Sequence, residues 1–210
     1  QILRTRWMVI VVTVAVAVLG ALAVSLLTTP TYQSCSRVFV STSGGSTVSE
    51  TYQGNLFSQQ RVASYSELVT GETLAARTVD ALGLNIPPPP LAAKVTPTST
   101  PDTVLLDICV VDTSPGLARD IANSLATQLT TLVRELETPE DGGTPAAGVR
   151  LVEQAQESSA PVSPKTTRNL ALGAAVGLLL GIALAVLRDR LDNTIKTRTK
   201  LEAASKTPLV

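Results

Sequence analysis

The sequence predicts an α/β (α+β) domain held between two transmembrane helices, and three observations lead there. Trp7 to Leu27 carries no charge for about 21 residues, long enough to cross the hydrocarbon core of a bilayer as a helix. Leu170 to Leu187 is a second uninterrupted apolar run of about 18 residues, at the lower end of what spans. Between the runs, strand-like and helix-like patterns follow one another as strand, helix pair, strand, helix, strand, the order of a mixed domain with one core.

The flanking charges orient the two runs. Arg4 and Arg6 precede the first, and Arg188, Arg190, Lys196, Arg198 and Lys200 follow the second. Lys and Arg crowd the cytoplasmic side of membrane helices, and Trp7 suits the membrane interface. The expected organisation is therefore a cytoplasmic N-terminus at 1–6, a transmembrane helix at 7–27, an extracytoplasmic domain at 28–168, a second transmembrane helix at 169–187 and a cytoplasmic basic tail at 188–210. A cleaved signal peptide competes for the first run, since Ala21-Leu22-Ala23 resembles a cleavage site, but the run is longer than a typical signal core. Charge is polarised along the chain. Pro30 to Lys165 holds 8 basic against 14 acidic residues, whereas Arg188 to Val210 holds 6 against 3. A nucleic-acid surface should be basic, so the acidic middle argues against that partner.

In chain order, Tyr32 to Thr42 alternates and is rich in strand formers. Ser43 to Gly54 reads as a Ser/Thr/Gly loop. Leu56 to Val69 and Glu72 to Leu82 read as helices broken at Thr70-Gly71 and stopped at Gly83, the second with Leu74, Ala75, Val79 and Leu82 on one face. Pro87 to Pro90 predicts a stiff extended connector. Asp102 to Asp112 is the clearest strand, its apolar run implying burial on both faces. Ser114 and Pro115 then cap and open a helix with a stripe at Leu117, Ile121, Leu125, Leu129, Leu132 and Leu136. Thr138 to Gly148 is loop chemistry, and Val149 to Gln156 is a returning strand. In the second apolar run Gly173, Gly177 and Gly181 fall four apart on one face, where missing side chains let a neighbouring helix approach closely. That face is expected to serve oligomerisation, against the plainer reading that membrane helices are simply glycine-rich.

Catalysis finds little support. With no histidine in the chain, no Ser-His or Cys-His arrangement can be built. No Gly-Lys-Ser/Thr phosphate loop occurs. Two distant cysteines make no zinc spacing; Asp107, Asp112 and Asp120 could in principle form an acid/base pair, but nothing in the sequence distinguishes them from solvated surface or cap positions. No catalytic, cofactor-binding or metal residue is expected. Pairing the first strand antiparallel to the Asp102 strand with Cys35 opposite Cys109 also sets Arg37 opposite Asp107 and Phe39 opposite Leu105. In a non-cytoplasmic compartment the two cysteines can form a disulfide or remain two buried thiols.

A proline motif (Pro161, Pro164, Lys165) leads into the glycine-spaced helix and then into Arg188-Asp189-Arg190-Leu191-Asp192-Asn193-Thr194-Ile195-Lys196. With Gln60-Arg61-Val62-Ala63-Ser64-Tyr65 leading to Leu82-Gly83-Leu84, this order resembles the Wzz-type chain-length determinants, the polysaccharide co-polymerases. The resemblance implies a non-enzymatic protein of the bacterial inner membrane that forms a homo-oligomeric ring. Such a ring sets how long a glycan the neighbouring polymerase makes in capsule or exopolysaccharide synthesis. It implies that Pro161 and Pro164 hold the outer domain at a fixed angle, and that the tail from Arg188 to Lys200 couples to a tyrosine kinase, fused or separate. Relatives place long outward helices near Thr138 to Gly148, where this chain has only a turn, so a squat version is expected. Starting at Gln1 and stopping at Val210, the sequence is expected to be trimmed at both ends, and a kinase domain following Val210 is weighed against a separate kinase partner or none. A two-span receptor or sensor, or an adaptor subunit of an exporter, is the alternative.

Overall fold

The computed structural model describes residues 7–42, 48–101 and 103–191. Its elements in order are α1 (Trp7–Leu27), β1 (Tyr32–Thr42), α2 (Val48–Val69), α3 (Glu72–Leu82), α4 (Pro88–Ala92), β2 (Val95–Ser99), β3 (Leu105–Asp112), α5 (Pro115–Glu137), β4 (Ala147–Glu153) and α6 (Thr166–Leu191). The described residues fall into two compact units, a helix hairpin from 7–28 and 164–191 and a sheet unit lying within 29–163.

In the hairpin unit, α1 and α6 are both long and apolar enough to cross a membrane. Helix α1 occupies the expected stretch, and α6 begins at Thr166 and runs to Leu191, past both expected ends. The few hydroxyls are matched internally. Thr13 donates to the Val9 carbonyl at 2.8 Å, and buried Ser25 donates to the Thr166 hydroxyl at 3.3 Å. An unmatched polar group in apolar surroundings would be costly.

The sheet unit is built on four antiparallel strands in the order β2-β3-β1-β4. Strand alternation decides its faces. Ser34, Ser36, Val38 and Val40 of β1 turn to the buried side with Leu106, Ile108, Val110 and Asp112 of β3. Onto that side α5 lays Ile121, Leu125, Leu129 and Val133, while α2 adds Val62, Tyr65 and Val69 and α3 adds Leu74 and Ala75. Helix α5 starts where the sequence places it. The Ser114 hydroxyl accepts the Leu117 N–H at 3.4 Å, and Pro115 opens the first turn, where no backbone donor is needed. Helix α3 stops at Gly83, whose φ of 61° suits a residue without a Cβ. The register places Cys35 opposite Cys109, Arg37 opposite Asp107 and Phe39 opposite Leu105, as the sequence suggests.

Several expectations need correction. Strand β3 is fully buried on one face only. On the other, Leu105, Asp107 and Val111 are half-covered, because the core helices of this unit, α2, α3 and α5, pack on the opposite side of the sheet. Helix α2 begins at Val48, inside the expected loop; Ser and Thr favour loops but do not forbid a helix, and tertiary context overrides so weak a preference. Pro88, Pro89 and Pro90 form the first turn of α4 rather than an extended connector. The first N–H groups of any helix lack intrahelical partners, so prolines lose nothing there, and buried Leu91 anchors the turn. Strand β2 is an addition, and its Pro97 is tolerated because β2 is an edge strand. Leu136, at the end of the α5 stripe, is 61% exposed.

Candidate functional site

The three glycines of α6 face α1 of the same chain. A Cβ built on Gly173 would lie 2.9 Å from the Ala21 Cβ. One on Gly177 would lie 2.8 Å from the Ala17 Cβ and 2.9 Å from the Val14 Cα, and one on Gly181 3.0 Å from the Ile10 Cα. Real side chains do not approach so closely, so glycine at these positions is what lets the two backbones meet. Sequence spacing marks a close approach, and within one chain the neighbour at these glycines is the first helix. The faces turned away from this seam are apolar. Among the described residues each helix exposes nine large hydrophobic side chains, including Val11, Val16, Leu19, Leu172 and Leu179.

Exposed Arg188 shares a cleft of about 310 Å³ with Met8, Val9, Val12 and Thr13. The side chain of Arg190, and Lys196, Arg198 and Lys200 altogether, lie outside the described residues.

In the sheet unit, the returning segment after β4 is fastened by side chains that stand in for a strand partner. Asn123 of α5 donates to the Ala155 carbonyl at 3.1 Å and accepts the Ala155 N–H at 2.8 Å, while Arg119 holds Glu157 at 2.7 Å. The segment then pairs with the residue just before β1. The Val162 N–H donates to the Thr31 carbonyl at 2.8 Å, and the Thr31 N–H donates to the Ser163 carbonyl at 3.0 Å. Pro161 and Pro164 flank this two-bond clasp. Neither has an N–H to extend it, so they bound it on either side.

Cys35 and Cys109 are joined as a disulfide between β1 and β3, with their Cα atoms 4.0 Å apart. Beside it on the open face, Arg37 donates through Nε and Nη2 to both Asp107 oxygens at 2.6 and 3.1 Å, and through Nη1 to Glu153 at 3.3 Å. One guanidinium thus ties β3, β1 and β4 together, and the Asp107 hydrogen bond and charge raise its pKa. On the buried face, burial pushes the Asp112 carboxyl up. The Lys94 ammonium at 2.7 Å and the Ser114 N–H at 3.0 Å outweigh that and hold it below the usual aspartate range. Asp120 is paired with Arg119. The three aspartates weighed as acid/base candidates thus have structural partners, and among the described residues no cluster of three metal-ligating groups occurs.

One feature escapes sequence reasoning. Thr127, Thr130, Thr131 and Arg134 of α5 line a cleft of about 610 Å³ with Ser41 and Arg150 of the sheet. The two arginines stand sixteen positions apart and belong to no motif; the only sequence signal is the run of threonines at helical spacing on the polar side of α5.

Two family descriptions match the chain. Residues 1–82 match "Chain length determinant protein" (Wzz), and residues 117–190 match "G-rich domain on putative tyrosine kinase" (GNVR). The chain is similar to the probable capsular polysaccharide biosynthesis protein YwqC of Bacillus subtilis, with 26% identity over 97% of this chain and 80% of that protein. It is also similar to the capsular polysaccharide biosynthesis protein CpsC of Streptococcus agalactiae, with 24% identity over 96% of this chain and 84% of that one. A solved structure described as a full-length bacterial polysaccharide co-polymerase aligns with 93% of this chain and 98% of its own, at a TM-score of 0.49 and 11% identity.

Proposed function

We propose that this chain, which matches the Wzz description over residues 1–82 and the GNVR description over 117–190, is a Wzz-type chain-length determinant and acts as a polysaccharide co-polymerase in capsule or exopolysaccharide biosynthesis, setting polymer length without chemistry of its own. The carrying observation is that the two family matches together take in both apolar helices and most of the sheet unit between them.

In this reading α1 and α6 cross the inner membrane as a glycine-seamed hairpin, with both chain termini in the cytoplasm and the sheet unit on the far side. The exposed apolar faces of the hairpin then meet lipid, the polymerase and further copies of the chain. Gly173, Gly177 and Gly181 support assembly indirectly, by building the hairpin whose outer faces make the ring. Pro161 and Pro164 close the sheet unit where the chain leaves it. The basic stretch from Arg188 to Lys200 works at the cytoplasmic surface, near anionic lipid, and couples to a tyrosine kinase. The match to a domain described by its place on such kinases supports that coupling.

Deleting the gene in its own host and sizing the extracted polysaccharide tests the reading. A shifted or broadened length distribution, restored by the intact chain, is expected. Unchanged length with reduced export would instead make the protein an exporter adaptor.

A further inference from the structure

The cleft between α5 and the β4 edge has the chemistry of a binding site. Seven lysines and arginines lie in the sheet unit. Five are ion-paired: Arg37 with Asp107 and Glu153, Arg61 with Glu137, Arg77 with Glu135, Lys94 with Asp112, and Arg119 with Asp120 and Glu157. The other two, Arg134 and Arg150, are exposed, have no carboxylate partner among the described residues, and both line this cleft. Acidic residues outnumber basic ones in this unit, yet two guanidiniums without a carboxylate partner among the described residues line one cleft.

The wall between them is equally specific. Thr127, Thr130 and Thr131 each donate their hydroxyl hydrogen back along α5, to the carbonyls of Asn123, Ala126 and Thr127 at 2.9, 2.9 and 3.2 Å. Their donors are occupied, so what they offer the cleft is oxygen lone pairs, which accept hydrogen bonds. A ligand that suits both walls carries an anionic group for the arginines and many hydroxyl donors for the threonines. Arginine forks match carboxylates and phosphates. A volume of about 610 Å³ falls within the range of about 300–1,000 Å³ usual for small-ligand clefts. Among the described residues no aromatic side chain lines the cleft, which makes base or ring stacking a poor account of it.

We propose that this cleft binds a segment of an anionic glycan, with Arg134 and Arg150 holding its carboxylate or phosphate and the three threonines accepting hydrogen bonds from its sugar hydroxyls. The inference rests on the co-polymerase reading and names where on the chain the polymer would be held.

The test is isothermal titration of the full chain in lipid nanodiscs with three probes: hexagalacturonate, a hexamer of glycerol phosphate and maltohexaose. Binding of at least one charged probe, about tenfold or more tighter than the neutral one, is expected; whichever charged probe binds assigns the anion as carboxylate or phosphate. Arg134→Gln with Arg150→Gln should weaken that binding about tenfold or more. Arg77→Gln, a charge removed outside the cleft, should change it less than about twofold. Equal binding of maltohexaose, no binding of either charged probe, or equal loss in Arg77→Gln would overturn the proposal. So would a double variant that alters particle mass while leaving binding intact, since the cleft would then be a contact between copies. These outcomes are independent of polymer length in the deletion strain: a length effect without oligosaccharide binding sinks the site and spares the co-polymerase reading.

Discussion

The helix hairpin and the sheet unit place apolar side chains on opposite sides. Among the described residues the hairpin exposes nine large hydrophobics on each of α1 and α6, whereas the whole sheet unit exposes four, Phe39, Phe57, Leu136 and Val152. The hairpin's seam is made of glycine and alanine, backbone against backbone. The sheet unit's core is branched aliphatic, with Leu106, Ile108, Leu125 and Leu129 fully buried, and its surface is laced with ion pairs. Water as solvent rewards the second arrangement. As the membrane-crossing pair proposed above, the first would rely on close van der Waals packing, the force left when the surroundings are as apolar as the side chains.

This contrast predicts that the same kind of change acts differently in the two units. The largest effect should come from making a cavity in the sheet unit. Leu125→Ala removes a fully buried side chain and should cost about 2–5 kcal/mol, read as a lower unfolding temperature of the purified protein. The equivalent truncation of exposed Leu179 in the hairpin should leave that temperature nearly unchanged. Removing the disulfide with Cys35→Ala and Cys109→Ala should cost about 2–4 kcal/mol in the oxidised protein, and reductant should have no further effect on the double variant.

In the hairpin the damaging change is an added side chain rather than a lost one. Gly177→Leu would push against Ala17 and Val14 and should move the helices toward the spacing of about 8–10 Å usual for pairs with side chains at the contact. Spin labels on Val11 and Leu184 would report the widening by their distance distribution. An unchanged distribution would show that the glycine seam is not what sets the hairpin's spacing.

The smallest effect separates the units by pH. The sheet unit holds Asp112 and Glu135 with carboxyl pKa values held down, Asp112 by Lys94 and the Ser114 N–H against its burial, Glu135 by the Arg77 hydrogen bond. A carboxyl whose folded pKa is depressed stabilises the fold above its unfolded value. That stabilisation is lost as pH falls from about 4 through the lowered folded value. Asp112→Asn should flatten the acid limb of an unfolding-temperature profile. Residues 7–27 and 166–187 contain no carboxylate, so this part of the hairpin should add nothing to that limb.

What could be read in the sequence follows the range of the forces involved. Local rules place the Ser114-Pro115 start of α5 and the stop of α3 at Gly83, because caps act within one turn. The register of β1 on β3 is legible because three pairs, Cys35 with Cys109, Arg37 with Asp107 and Phe39 with Leu105, agree on one alignment. The glycine spacing on α6 announces a close neighbour without saying which, since a pattern on one helix holds no information about its partner. Composition misleads at residues 48–54 and Pro88–Pro90, where the helical context of the fold overrides it. Arg134 and Arg150 were invisible, because only the packing of α5 beside β4 brings them to one cleft.

The two hydrogen bonds between Thr31 and the Val162-Ser163 stretch mean that the chain enters and leaves the sheet unit at neighbouring points. Such a piece behaves like a cassette: it can be lengthened at its far turn, swapped for another, or excised and its ends spliced with a short linker, without any need to rethread the rest of the polypeptide.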